Sequence, residues 1–394
     1  MATALIAGLD DALVARRAAG LERQRHAIAS PQGPRVKVDG RELVAFASND
    51  YLGLANDPAL VDAVRDAASR WGLGAGASHL ISGHFEPHEA LEAELAAFVA
   101  PCAGARALTF SSGYLANLAI LSTLAGRRDA VFADRLNHAC LNDGAQLSRA
   151  DFVRYPHGDM DALERALVES KAPRKIIATD GVFSMDGDLA PLPRLLELAD
   201  AHDAWLVVDD AHGFGVLGEG RGSLAHFGLV SERIVTMATF GKAAGAAGAF
   251  VVAHPSVIET LVQTARPYIY TTAAPPALAQ AVRTALAIIG NDTGRRTHLA
   301  GLIGQFRDGA RGLPWKLLPS PTAIQPLVVG DSGAATRLAA ALAAHGFWVP
   351  EIRPPTVPQG TARLRVSLSA AHSADDVAAL LAALRAIAAN LGVH

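Results

Sequence analysis

Cysteine is almost missing: Cys102 and Cys140 are the two in 394 residues, too few for a disulfide framework, and their spacing matches no metal knuckle. A reducing compartment suits such a chain, and the cytoplasm is expected. Charge is scarce as well, at 19% Asp, Glu, Lys and Arg against about 25% in an average soluble chain, and the signs nearly cancel to a formal −3. That balance offers nucleic acid no electrostatic footprint. Long apolar runs are lacking too. The longest, residues 243–253, stops well short of the ~18 a spanning helix needs, so no membrane partner is expected. Residues 1–9 have no basic segment, and Asp10 and Asp11 follow, which argues against a secretory leader. Gly and Pro, at 36 and 21 residues, exclude a collagen-like or low-complexity chain.

What is present is a chain 51% hydrophobic, too apolar and too weakly charged for disorder. Its length suits two to three domains at roughly 150 residues each. Small-molecule chemistry is the leading class left.

Periodicity divides the chain in three. Residues 3–28 space apolar side chains as a helix does until Pro31, Gly33 and Pro34. Two short strands, 36–38 and 43–47, then turn at Asp39-Gly40, a pair that tolerates positive φ; with the helix they make an N-terminal segment, 1–57. Residues 58–290 alternate helices with apolar runs at 107–110, 130–133, 152–155, 175–179, 205–208, 234–238 and 250–253. Such runs read as strands buried on both faces, and amphipathic stretches such as 159–170 and 191–201 between them imply a mostly parallel sheet covered by helices. The class is α/β. After a break at 290–294 a smaller α+β unit spans 291–394: a helix to about Gly312, strands at 323–329, 348–352 and 364–368, and helices at 333–345 and 373–391. Ser373 with Asp375 and Asp376 reads as a capped, acidic helix start.

Three places carry candidate chemistry. Asp209-Asp210-Ala211-His212-Gly213 follows the run 205–208, where ligands of open α/β sheets sit; turn-forming Asp and a satisfied His remain open alternatives. Lys242, in Thr239-Phe240-Gly241-Lys242-Ala243-Ala244-Gly245, is flanked by small residues where a poorly solvated amine could attack a carbonyl. It is not a P-loop, because Thr236 and Ala243 stand where glycine and a hydroxyl residue belong. Ser111-Ser112-Gly113-Tyr114 opens a helix, a setting that suits a phosphate or a plain cap. Residues 72–76 are glycine-rich but follow a helix, which rules out a dinucleotide fingerprint. No spacing demands a metal; His84 and His88 are four apart, yet Pro87 argues against one continuous helix.

In order along the chain, Ser48-Asn49-Asp50-Tyr51-Leu52-Gly53-Leu54, Ser112-Gly113-Tyr114, Asn137-His138-Ala139, Gly181-Val182-Phe183-Ser184-Met185-Asp186-Gly187-Asp188, the Asp209 motif and Thr239-Phe240-Gly241-Lys242 match landmarks of the α-oxoamine synthases. The chain resembles that family, pyridoxal-phosphate enzymes of the aspartate-aminotransferase fold (fold type I). The resemblance implies that Lys242 carries the cofactor aldehyde and shuttles the Cα proton, and that Asp209 pairs with the pyridine nitrogen. It further implies His212 and Ser184 near the phenolic oxygen, His138 on the ring face as a proton donor, and Gly113, Tyr114 and Thr239 at the phosphate. Arg23, Arg353, Thr356 and Arg365 become candidates for substrate carboxylates, with Arg365 favoured for the amino acid.

Residues 352–358 and 360–365 are most similar to members that condense L-alanine with a pimeloyl thioester of coenzyme A or acyl carrier protein. A glycine-using member such as 2-amino-3-oxobutyrate ligase is the rival, and a cofactor-free α/β binding protein is the reading from another class. Membership implies a homodimer. Cys140 and Ala243-Ala244 depart from the family pattern, and neither departure is expected to alter a catalytic role.

Overall fold

A computed structural model describes residues 3–18, 21–23 and 25–391. The first helix, Ala4–Ala18, buries none of its residues and stops ten residues before the expected end. Ile28 instead bridges Val38, because extended backbone here lets Val36, Val38, Leu43 and Ala45 share a buried cluster that a longer helix would forgo. The expected turn forms. Strands β1 (Arg35–Val38) and β2 (Arg41–Ala45) pair antiparallel through Asp39 and Gly40, at φ 48 and 80, and two positive φ values give the turn the twist a hairpin prefers.

The seven apolar runs become one sheet: β3 (Arg106–Phe110), β4 (Ala130–Asp134), β5 (Asp151–Tyr155), β6 (Lys175–Asp180), β7 (Ala204–Asp209), β8 (Ile234–Thr239) and β9 (Ala249–Ala253), ordered β3-β9-β8-β7-β6-β4-β5. Only β9 runs antiparallel to its neighbours. Successive residues serve opposite layers, as the two-residue strand period requires. Ile176, Val207 and Val235 pack with helix Gly113–Leu124, while Ile177, Leu206 and Ile234 pack with Leu163 and Leu195 on the other side. Burial on both faces fails at β5, whose first four residues are exposed or half-buried, since an edge strand has a neighbour on one side alone.

In the C-terminal part, β10 (Lys316–Leu317), β11 (Ile324–Gly330), β13 (Glu351–Ile352) and β14 (Ala362–Ser367) form an antiparallel sheet ordered β10-β11-β14-β13, and β12 (Phe347–Trp348) pairs parallel with β2. The single strand expected at 348–352 is therefore two, divided at Val349-Pro350, because Pro350 has no N–H to donate to a ladder. Asp292 caps helix Thr293–Gly309 just after helix Pro276–Asn291 ends. Ser373 and Asp376 cap Ala374–Leu391 reciprocally, each side chain accepting from the other's backbone N–H at 3.1 and 2.9 Å. One core cluster reaches from Phe46 and Phe250 to Phe306, Val366 and Leu384, so the hairpin, the large sheet and the C-terminal unit pack as neighbours.

Candidate active site

Parallel strands place their C-terminal ends on one side of the sheet, where backbone pairing stops and polar side chains must find other partners. Asp180, Asp209 and Thr239 end β6, β7 and β8. Asp209 is buried; its Oδ2 accepts from Asn117 Nδ2 at 2.7 Å and its Oδ1 from Ala211 N at 3.1 Å. Asp210 turns away and accepts from the N–H and hydroxyl of Ser223, at 2.7 and 2.5 Å. Burial, against those Ser223 bonds and helped by Asp209, pushes its carboxyl up to about 7. The adjacent carboxylates thus differ in use: one faces the site, the other fixes a turn.

Lys242 sits half-buried in the loop after β8 with Nζ 3.0 Å from His212 Nε2. Burial holds its ammonium below the usual range; Asp209 and Asp180 oppose this, and Arg365 reinforces it. His212 is kept well below its ordinary value by burial and by the Lys242, Arg365 and His138 charges, so it stays neutral. Its Nδ1 lies 2.7 Å from the Tyr51 hydroxyl. Arg365, buried on β14, donates from Nε to Ser184 O (2.6 Å) and from Nη1 to Asn49 Oδ1 and Ser367 Oγ (3.1 and 2.7 Å), while Nη2 has the long 3.5 Å contact to Tyr51.

At the start of helix Gly113–Leu124, Ser112 caps by accepting from Leu115 N. A Cβ on Gly113 would come within 2.6 Å of Thr239 Cγ2, so glycine lets the helix end rest on β8. Thr239 Oγ1 is buried and has no hydrogen-bond partner among the described residues. A buried hydroxyl without a partner is costly, and beside a helix N-terminus it fits a phosphate. With an amine inclined to neutrality and a buried carboxylate nearby, the residues fit pyridoxal phosphate. Tyr114 is 43% exposed, and its hydroxyl bonds Asp143.

His138 precedes helix Ala139–Ser148 and caps it, its Nδ1 accepting from Cys140 N at 3.3 Å. Desolvation lowers its pKa, Asp209 opposes this, and Lys242 lowers it further. A cavity of about 450 Å³ is lined by His138, Ser184, Arg23 and Thr356, among others. Arg353 lies outside its lining; it faces a smaller adjoining cavity, also lined by Arg23 and Thr356, and pairs with Glu351 at 3.5 Å. The structure therefore gathers Lys242, His212, Asp209, His138 and Arg365 in one polar centre with Ser184, Thr356 and Arg23 at its cavity, and sets Arg353 one step away.

Three roles escaped the sequence reading. Asn49 and Tyr51 lie in a stretch noted there without a task, and Asn117 is the lone amide of a mostly apolar helix, itself a signal that it needs a buried partner. Cys140, one of the departures from the family pattern, lies against the site, its Sγ 2.8 Å from His138 Nδ1. Helix Glu86–Val99 begins after His84, as Pro87 suggests, yet the turn His79–Gly83 still brings His79 and His84 near His88. His88 has both nitrogens engaged, with Phe85 N and Ala274 O.

The family described as aminotransferase class I and II matches residues 41–384. The 8-amino-7-oxononanoate synthase of Herminiimonas arsenicoxydans is 60% identical over 380 residues, covering 95% of this chain and 97% of that one. The crystal structure of 8-amino-7-oxononanoate synthase from Francisella tularensis aligns with TM-score 0.76 at 30% identity, over 89% of this chain and 99% of that one. A serine palmitoyltransferase variant from S. paucimobilis, with a bound PLP-myriocin aldimine, aligns with TM-score 0.93 at 30% identity over 100% of both chains.

Proposed function

That the chain belongs to the aminotransferase class I and II family, as one of its α-oxoamine synthases, is the premise from which we propose that it joins L-alanine to a pimeloyl thioester. Its activity is 8-amino-7-oxononanoate synthesis, a pyridoxal-phosphate-dependent condensation of biotin biosynthesis. The observation that carries the substrate reading is a polar centre holding both a nucleophilic amine and a buried guanidinium, beside a cavity with a second arginine, Arg23.

Gly113 and Tyr114 N–H groups with the Thr239 hydroxyl would hold the cofactor phosphate, Asp209 its pyridine nitrogen, and Ser184 and His212 its phenolic oxygen. Bound pyridoxal phosphate supplies an electron sink for the pair left at the amino-acid α-carbon. Lys242, held toward the neutral amine by burial, would anchor the cofactor aldehyde and take the α-proton. Arg365 receives the alanine carboxylate at Nη2, its least engaged nitrogen. That carboxylate leaves as carbon dioxide after the acyl carbon has bonded to the α-carbon and released its thiolate, and Lys242 returns its proton to the α-carbon. His138 donates a proton at the substrate carbonyl. Arg23 and Thr356, with Arg353 behind them, pair with the far carboxylate of the pimeloyl chain.

We also propose a cytoplasmic homodimer. Its support is the uncovered apolar face of helix Ala4–Ala18, with Leu5, Leu9 and Leu13 exposed, and two free cysteines. Sedimentation velocity checks the dimer. Mass spectrometry of products, with alanine, glycine and serine each offered beside pimeloyl-CoA and pimeloyl-acyl carrier protein, checks the chemistry. The alanine product is expected; product from glycine alone would replace the reading with the glycine-using synthase.

A further inference from the structure

Asn117 is an expensive residue where it stands. It is fully buried in helix Gly113–Leu124 among Ala116, Ala119, Ile120 and Leu121, where an alkyl side chain would suit the packing. Its Nδ2 donates to Asp209 Oδ2 at 2.7 Å and to Cys140 Sγ at 3.0 Å. A carboxylate can only accept, so the amide nitrogen must face it, and Oδ1 is left without a partner among the described residues. The orientation toward Asp209 is kept at the cost of a buried oxygen.

The bonds continue outward. Cys140 lies with Sγ 2.8 Å from His138 Nδ1 and 4.0 Å from Asp209 Oδ2. Burial, with Asp209 and against the Asn117 bond, pushes the thiol up to about 12, so it remains S–H. That hydrogen has two acceptors within reach, and His138 Nδ1 at 2.8 Å is far nearer than the Asp209 oxygen at 4.0 Å. The thiol therefore donates to His138 Nδ1, which already accepts from Cys140 N–H. A ring that accepts twice at Nδ1 carries its proton on Nε2.

We propose that Asn117 is a positioning residue that aims the Asp209 carboxylate and, through Cys140, fixes His138 with its proton on Nε2. The proposal rests on the cofactor-facing roles given above to Asp209 and His138. Neither Asn117 nor Cys140 faces the cavity, so both act through the residues they hold.

The test uses the holoenzyme and three variants, Asn117→Ala, Cys140→Ala and Cys140→Ser. Nitrogen-15 NMR of labelled histidine reads the His138 tautomer, and absorbance against pH reads the cofactor band. Asn117→Ala should mix the tautomers, shift the band's titration and lower kcat by about tenfold or more with KM for alanine little changed. Cys140→Ala, which leaves only the 3.3 Å backbone bond on Nδ1, should mix the tautomers in part and leave the band alone, and Cys140→Ser should behave as wild type. If Asn117→Ala does not fold, Asn117→Ser replaces it, and the two Cys140 variants still test the outer link. An unmoved tautomer and an unmoved band in the Asn117 variant would overturn the proposal. Failure of the substrate reading shows separately, as the wrong product from the unaltered enzyme.

Discussion

Two clusters of histidines with acids are built to opposite ends. Around the turn before helix Glu86–Val99, His79, His84 and His88 lie together, yet His88 uses both nitrogens on backbone groups and His79 stacks on Tyr268. At the ends of β7 and β8, His138 and His212 meet Lys242, Asp209 and Arg365, and Thr239 Oγ1 and Asn117 Oδ1 remain without partners among the described residues. Density of titratable groups is the same kind of signal in both. What separates a site from a packed cluster is unspent hydrogen-bonding capacity beside a cavity.

Removing the amine should break the comparison most completely. Lys242→Ala is expected to lose turnover by about four orders of magnitude or more, and borohydride reduction of the parent should attach cofactor to a peptide containing Lys242; label on a different lysine would move the site. Next is Asp209→Asn, which keeps shape and removes charge. Cofactor should still bind while kcat drops about 100-fold to 1000-fold. Near-normal turnover would mean that another carboxylate serves the ring nitrogen, despite Asp210 being spent on Ser223.

The packed cluster should respond in stability. His88→Ala strands Phe85 N–H and Ala274 O, so urea unfolding should show a loss of about 2 kcal/mol, with kcat of the folded fraction unchanged. A fall in kcat matching that of the Asp209 variant would erase the distinction. At the cavity rim, Arg23→Ala should raise KM for the pimeloyl thioester about tenfold and leave alanine binding alone. The same substitution at Arg353 should do less, because Arg353 lies outside the larger cavity; a selective effect on alanine would instead assign it the amino-acid carboxylate.

The smallest effect is a slope. Burial, with His88 and His84 adding, pulls His79 down to about 3, below its unfolded value of about 6.5. The unfolded chain then binds more protons between those limits, so this contribution is whole above pH 6.5 and is lost as pH falls, by at most about 1.4 kcal/mol per pH unit. His79→Gln should flatten acid unfolding in that window, and an unchanged slope would show that the ring is not held neutral.

Sequence made the large sheet legible because six of its seven strands are mostly buried, and such burial writes continuous apolar runs. It misplaced the end of the first helix because residues 21–27 carry no breaker, and the decisive event, Ile28 bridging Val38, depends on a partner beyond the turn. Lys242, Asp209 and His212 could be singled out since each lies at or just after the end of an apolar strand. The contacts that aim them could not. Asn117 meets Asp209 across 92 residues, Tyr51 meets His212 across 161, and Arg365 meets Asn49 across 316, separations that no local pattern encodes.

The pairing of β2 with β12 sets a timetable for synthesis. Val44 and Ala45 take Phe347 and Trp348 as neighbours, and Arg41 holds the carbonyl of Ala343 across 302 residues. At roughly 5–20 residues per second, a ribosome needs about 15–60 s to deliver that second strand. Throughout that interval the hairpin presents an open edge, and His372, whose ring stacks on Phe46 and whose Nε2 contacts Ala45 O, arrives later still. A message cut short before codon 347 would therefore yield a chain whose first strands have no lasting neighbour, a natural substrate for proteolysis.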